Sequence, residues 1–183
     1  MNKTIWLVTH GETVLRKSDG TWQPDPGMSK RGLGEIVRLR TILNEKLGGK
    51  TPTQIHCGVG RRQWEVSSTL GFNDPKVIRF SALWGDAATL AMENDTRMVL
   101  LSHGLLIPYS QYCTAQHIGG ETLKGAISVL PDCSVICSGR PVLVRGFGMD
   151  PSQCHNGALY AFRVQDSGEI KLELVQKGRI FAS

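Results

Sequence analysis

Long hydrophobic runs are missing from this 183-residue chain. None approaches the ~18 to 20 apolar residues that cross a bilayer, which excludes a membrane-spanning helix. The run Ile5-Trp6-Leu7-Val8 is too short for the ~7 to 15 residue core of a secretion signal, and a cytoplasmic protein is expected. Blocks of like charge are missing as well, although 21 Lys and Arg outnumber 16 Asp and Glu. Scattered cations at a pI near 9.1 fit a small anionic ligand better than nucleic acid, and no membrane partner is expected. The 21 glycines and 8 prolines show no period, which excludes collagen. A hydrophobic share of 40% with 20% charged residues excludes a disordered polyampholyte. Cysteine is sparse and odd in number, at five, so reduced thiols are expected rather than a disulfide framework. A zinc site gathering Cys133, Cys137, Cys154 and His155 is disfavoured. Four residues along a strand span about 13 Å, too far for two thiolates on one tetrahedral ion. No metal and no cofactor are expected.

The length suits one domain over residues 1–183. Its first half alternates short apolar runs with helical patterns. Thr4 to Val8 reads as a buried strand that runs into a loop at Thr9-His10-Gly11. Ser29 is a candidate N-cap for a helix to about Leu47, stopped by Gly48-Gly49. Gln54 to Cys57 predicts a strand, and Arg61 to Leu70 a helix closed by Gly71. Lys76 to Phe80 and Arg97 to Leu101 predict further strands, with a helix over Asp86 to Glu93 between them. A helical stretch to about Ile118 is expected after Gly104. Later, Val135 to Cys137, Val142 to Arg145, Ala158 to Val164 and Ile170 to Val175 all read as strands. Asp166-Ser167-Gly168 marks a hairpin turn. The predicted architecture is α/β with three layers: a mostly parallel central sheet, helices on both faces, and late strands adding an edge or a small subdomain. Those late strands leave room for a second copy to pair, so a homodimer is one expected assembly.

Two histidines share a placement. His10 follows the first strand and His103 follows Val99-Leu100-Leu101-Ser102, and each is followed by glycine. Both are expected at the carboxyl ends of parallel strands, where open α/β sheets bind ligands. The glycines would let a ligand approach the backbone closely. Arg61-Arg62 opens a helix at the same edge, where a guanidinium fork suits a phosphoryl group.

Leu7-Val8-Thr9-His10-Gly11-Glu12-Thr13 resembles the first signature of the histidine phosphatase superfamily, the phosphoglycerate mutase-like proteins. Met28-Ser29-Lys30-Arg31-Gly32, Arg62-Gln63-Trp64-Glu65-Val66 and Leu101-Ser102-His103-Gly104 resemble its later motifs in order, and Asn156-Gly157-Ala158-Leu159 its late strand. Residues 120–155 diverge. The resemblance implies a phosphomonoesterase acting on a phosphorylated metabolite or phosphoprotein, with phosphate as product. His10 would attack phosphorus and become phosphohistidine, while Arg62 and His103 hold the equatorial oxygens. Thr13, Arg16 and Gly104 are candidate substrate-binding residues, and Asp86 is the candidate proton donor, with Glu12 and Glu93 as alternatives. Two departures stand out. Thr9 occupies the position where the family carries arginine, and Arg16 is the candidate to replace that guanidinium. The acid is displaced by one position, at Asp86. A phosphate-binding protein without turnover is the alternative reading, and a phosphoglycerate mutase a more distant one.

Overall fold

The structure is a computed structural model that describes residues 2–14, 17–21, 23, 26–58, 60–72, 74, 78–80, 84, 88–91, 97–100, 106–108 and 120–180. Its centre is a six-stranded sheet. In chain order the strands are β1 (Lys3–Thr9), β2 (Ile55–Cys57), β3 (Ile78–Phe80), β7 (Val135–Ser138), β9 (Leu159–Val164) and β10 (Ile170–Gln176). Their spatial order is β10-β9-β1-β7-β2-β3. The pairs β1–β7, β7–β2 and β2–β3 are parallel, while β9 and β10 add an antiparallel edge. A second, three-stranded antiparallel sheet orders β4 (Ala88–Ala91), β5 (Arg97–Leu100) and β6 (Leu106–Pro108). A short ribbon joins β8 (His155–Asn156) to β11 (Arg179–Ile180).

Alternation along the strands divides the core into two layers. Trp6, Val8, Val135 and Cys137 face the helices α1 (Lys30–Lys46) and α2 (Arg61–Thr69). Ile5, Leu7, Ile136 and Tyr160 face α3 (Gly120–Val129) and α4 (Arg140–Phe147). The helix α1 buries Gly32, Ile36, Leu39 and Leu43, a stripe with the 3.6-residue period. Its Ser29 cap is as expected: Oγ accepts the Gly32 N–H at 3.0 Å. The expected three-layer α/β architecture is therefore present, with helices on both faces of the sheet.

Five expectations need correction. Arg97–Leu100 is not a strand of the parallel sheet; it pairs antiparallel with β4 and β6. The expected helix over Asp86 to Glu93 contains a strand at Ala88–Ala91. Val142 to Arg145 is not a strand but the body of α4. Its Val-Leu-Val run favours β structure, yet Pro141 presets the first helical turn and Gly148, at φ 62°, supplies the left-handed cap. Burial of Val142 and Leu143 then overrides local propensity. Leu106–Pro108, in the expected helix after Gly104, is a strand, and 109–118 lie outside the described residues. The strand at Val135 is neither an edge nor a subdomain, because it lies between β1 and β2.

Candidate active site

The parallel strands β1, β2 and β7 end at one edge of the sheet. Three turns leave that edge: His10-Gly11 after β1, Gly58 to Gly60 after β2, and Gly139 after β7. The last two lead directly into helices. Both helices are capped by glycine, Gly60 for α2 and Gly139 for α4, with no side-chain cap bond. Their N-terminal peptide dipoles therefore stay directed at the sheet edge, where they favour an anion.

His10 sits where these turns meet and is only 8% exposed. Its backbone N–H donates to Ser138 C=O at 2.9 Å, and its C=O accepts from Gly157 N–H at 2.9 Å. The ring is oriented by the carbonyl of Gly11, 2.9 Å from Nδ1. A carbonyl only accepts, so Nδ1 carries the proton and Nε2 keeps its lone pair. Burial, and next the Arg62 guanidinium, drive the ring pKa from 6.5 to about 3; the Gly11 hydrogen bond opposes the shift and Arg140 adds to it. The ring is accordingly neutral from pH 5 to 8.

Nε2 faces Gly139. A Cβ built on Gly139 would lie 2.8 Å from Nε2 and 2.9 Å from Cδ2. The φ of Gly139 is −160°, extended backbone that any residue adopts, so the glycine serves space rather than conformation. Gly139→Ala should therefore bring no backbone strain, but its Cβ must displace the His10 ring and so obstruct Nε2; a thermal melt of the variant accompanies the measurement. Isothermal titration with vanadate should show binding weakened at least tenfold, about 1.4 kcal/mol. Unchanged affinity would mean that the ligand space lies elsewhere.

Arg62 and Arg140 lie in the first turns of α2 and α4, and both charges act on His10. Arg61 has a different task. It is bonded through Nε to Glu65 Oε1 at 2.7 Å, and Glu65 in turn accepts the Met28 N–H. Glu65 thus ties the Met28 loop to α2 and Arg61 holds that carboxylate, while Arg62 is the member of the arginine pair whose charge acts on the histidine. Arg140 was not singled out in the sequence. The turn after β7 repeats the glycine–arginine step that follows β2 (Gly60-Arg61 and Gly139-Arg140), and that repetition is the signal that marks it.

Thr9 points away from phosphate chemistry. Its Oγ1 donates to His155 C=O at 2.8 Å and accepts the Ala158 N–H at 2.9 Å, joining β1 to the turn before β9. Glu12, an alternative for the proton donor, is engaged by two side chains. Ser29 Oγ donates to its Oε2 at 2.6 Å and Arg179 Nη1 to Oε1 at 3.1 Å, and these bonds hold its pKa below the usual carboxylate value. Thr13 forms a bridge with Met28 at the mouth of the loop. Gly11 is glycine for packing rather than for a ligand: its Cβ would fall 2.4 Å from Gly32 O. His103, Gly104, Arg16, Asp86 and Glu93 lie outside the described residues. Among the described residues, no group of three or more His, Cys, Asp or Glu converges as a metal site. No described helix is long and apolar enough to cross a membrane.

This architecture is known. The chain has the fold of the histidine phosphatase superfamily. A protein histidine phosphatase, SixA, solved with tungstate, is similar over 95% of this chain and 96% of its own, with TM-score 0.59 and 11% identity. A mycobacterial glucosyl-3-phosphoglycerate phosphatase is similar over 98% of this chain and 100% of its own, with TM-score 0.57 and 12% identity. A candidate alpha-ribazole-5'-P phosphatase of Escherichia coli matches over 99% of both chains, with TM-score 0.59 and 16% identity. At such identities the likeness establishes the fold. No family model and no curated protein matches the sequence.

Proposed function

We propose that this protein is a phosphomonoesterase that works through a phosphohistidine at His10. One observation carries the reading: a neutral imidazole, fixed through Nδ1, holds Nε2 against the Gly139 turn and within the field of two arginines from helix N-termini. The Nε2 lone pair attacks phosphorus, and the bond from phosphorus to the leaving oxygen breaks. Arg62 and Arg140 hold the equatorial oxygens, where charge gathers in the transition state. Water then attacks the phosphohistidine and frees phosphate and His10. Asp86 is our candidate to protonate the leaving oxygen, since Glu12 is held ionised. His103, Thr13, Arg16 and Gly104 remain candidates for substrate contacts. The structural neighbours include a glucosyl-3-phosphoglycerate phosphatase and a protein histidine phosphatase, which supports a phosphorylated metabolite or phosphoprotein as substrate.

A second reading, phosphate binding without turnover, is favoured by Thr9, whose hydroxyl is spent on backbone groups. The two separate on hydrolysis of para-nitrophenyl phosphate from pH 5 to 8, with and without chelator, and on mass analysis of the protein after a denaturing alkaline quench, which preserves the acid-labile N–P bond. Chelator-insensitive turnover with a phosphorylated His10 peptide is the expected result. Saturable vanadate binding with no turnover would establish the second reading.

The depressed pKa of His10 also has a consequence for stability. The unfolded chain binds a proton near pH 6.5 that the folded chain refuses until about pH 3. Stability therefore falls as pH drops through that window and is fully retained above it. At about 1.4 kcal/mol per unit, acidification from pH 7.5 to 4.5 should cost the wild type roughly 2–3 kcal/mol more than His10→Asn. Urea denaturation of both proteins at the two pH values measures this. An equal loss in both would show that the imidazole is not buried neutral.

A further inference from the structure

A groove of about 500 Å³ runs along the outer face of α1, closed on its other side by the end of β10 and the turn to β11. That volume is within the range of small-molecule sites. Its floor is aliphatic, from Leu39 and Ile42, and its rim is cationic, from Arg31, Arg38 and Lys177. The acidic side chain in its wall, Glu35, is already engaged. Arg179 Nε donates to its Oε1 at 2.7 Å and Glu12 N–H to its Oε2 at 3.1 Å. The rim thus keeps a net positive charge.

The wall of the groove contains an unexplained glycine. Gly34 lies inside α1, where glycine costs about 1 kcal/mol against alanine. Packing does not require it, since a Cβ there would meet nothing within 4 Å. Gly32, two residues earlier, is the opposite case: its Cβ would fall 2.2 Å from Glu12 O. A helix surface without a side chain, open to a cavity, lets a flat group lie directly on the backbone.

We propose that this groove binds a small organic anion with a flat, apolar body, at a place separate from the space before His10. The body would lie on Gly34 and Ile42, and the anionic group would meet Arg38 and Lys177. Gly157 lines the groove and donates its N–H to His10 C=O, whereas Nε2 lies against Gly139, which does not line it.

Anilinonaphthalene sulfonate, which has this chemistry, is the probe. It is titrated calorimetrically into the full-length protein in saturating phosphate, which occupies the His10 space. One saturable site is expected, retained in His10→Ala. Arg38→Glu with Lys177→Glu should weaken it at least tenfold, and Gly34→Leu should remove it. Gly34→Leu is expected to melt no lower than the wild type, because a helix glycine is replaced; should it unfold, the charge reversal alone decides. Absence of saturable binding, competition by phosphate, or affinity indifferent to the charge reversal would each overturn the proposal.

Discussion

His10→Ala is expected to abolish para-nitrophenyl phosphate hydrolysis, a loss on the order of 10⁴-fold or more, and to leave the protein without a trappable phosphoryl group. The size follows from the role. An orienting residue can be partly replaced by its neighbours, but a nucleophile that forms the covalent bond cannot. The ring also packs at 8% exposure, so alanine leaves a gap. The measurement therefore pairs turnover with a thermal melt, and adds His10→Gln, which keeps much of the volume and lacks the nucleophilic nitrogen. Equal inactivity of both variants, with at least one folded, is the expected pattern. Residual turnover of the glutamine variant near the wild-type rate would remove His10 from the chemistry.

A large effect on stability is expected of Gly32→Ala. Loop and helix touch backbone to backbone here: a Cβ on Gly32 would lie 2.2 Å from Glu12 O and 2.7 Å from Glu12 N, and one on Gly11 2.4 Å from Gly32 O. No flexible side chain can yield, so either the loop after His10 or the first turn of α1 must shift. Such overpacking costs about 3 kcal/mol or more. For a domain of this size that lowers the melting temperature by roughly 6–12 °C. Gly34→Ala, in the same helix with open space around it, should move the melting temperature slightly upward, and circular dichroism of the two variants makes the comparison. A Gly32→Ala protein that melts like the wild type would mean that α1 does not seat on the His10 loop as described.

The contrast between these glycines shows what could be read in advance. Strand β1, the Ser29 cap, the end of α1 at Gly48-Gly49 and the run of α2 were all legible, because each rests on local chemistry. His10 and Arg62 were legible for the same reason: each directly follows or opens a clearly patterned element. The neighbour of β1 was not. Val135–Ser138 is four residues long and over 120 positions from its partner Trp6–Thr9, so no local signal assigns the pairing. The Val-Leu-Val run after it pointed to a strand, and Pro141 with Gly148 had to be weighed together to reveal α4. With that helix unread, Arg140 went unnoticed. The strand at Arg97–Leu100 pairs in the small antiparallel sheet rather than beside β1, and Ser102-His103-Gly104 lie outside the described residues.

Strand β1 is flanked in the sheet by distant segments, at 135–138 and 159–164. The loop after His10 is likewise braced from afar, by Arg179 on Glu12. The imidazole thus takes its buried setting from segments more than 120 positions away, and pulling those segments apart would return the ring to ordinary aqueous titration.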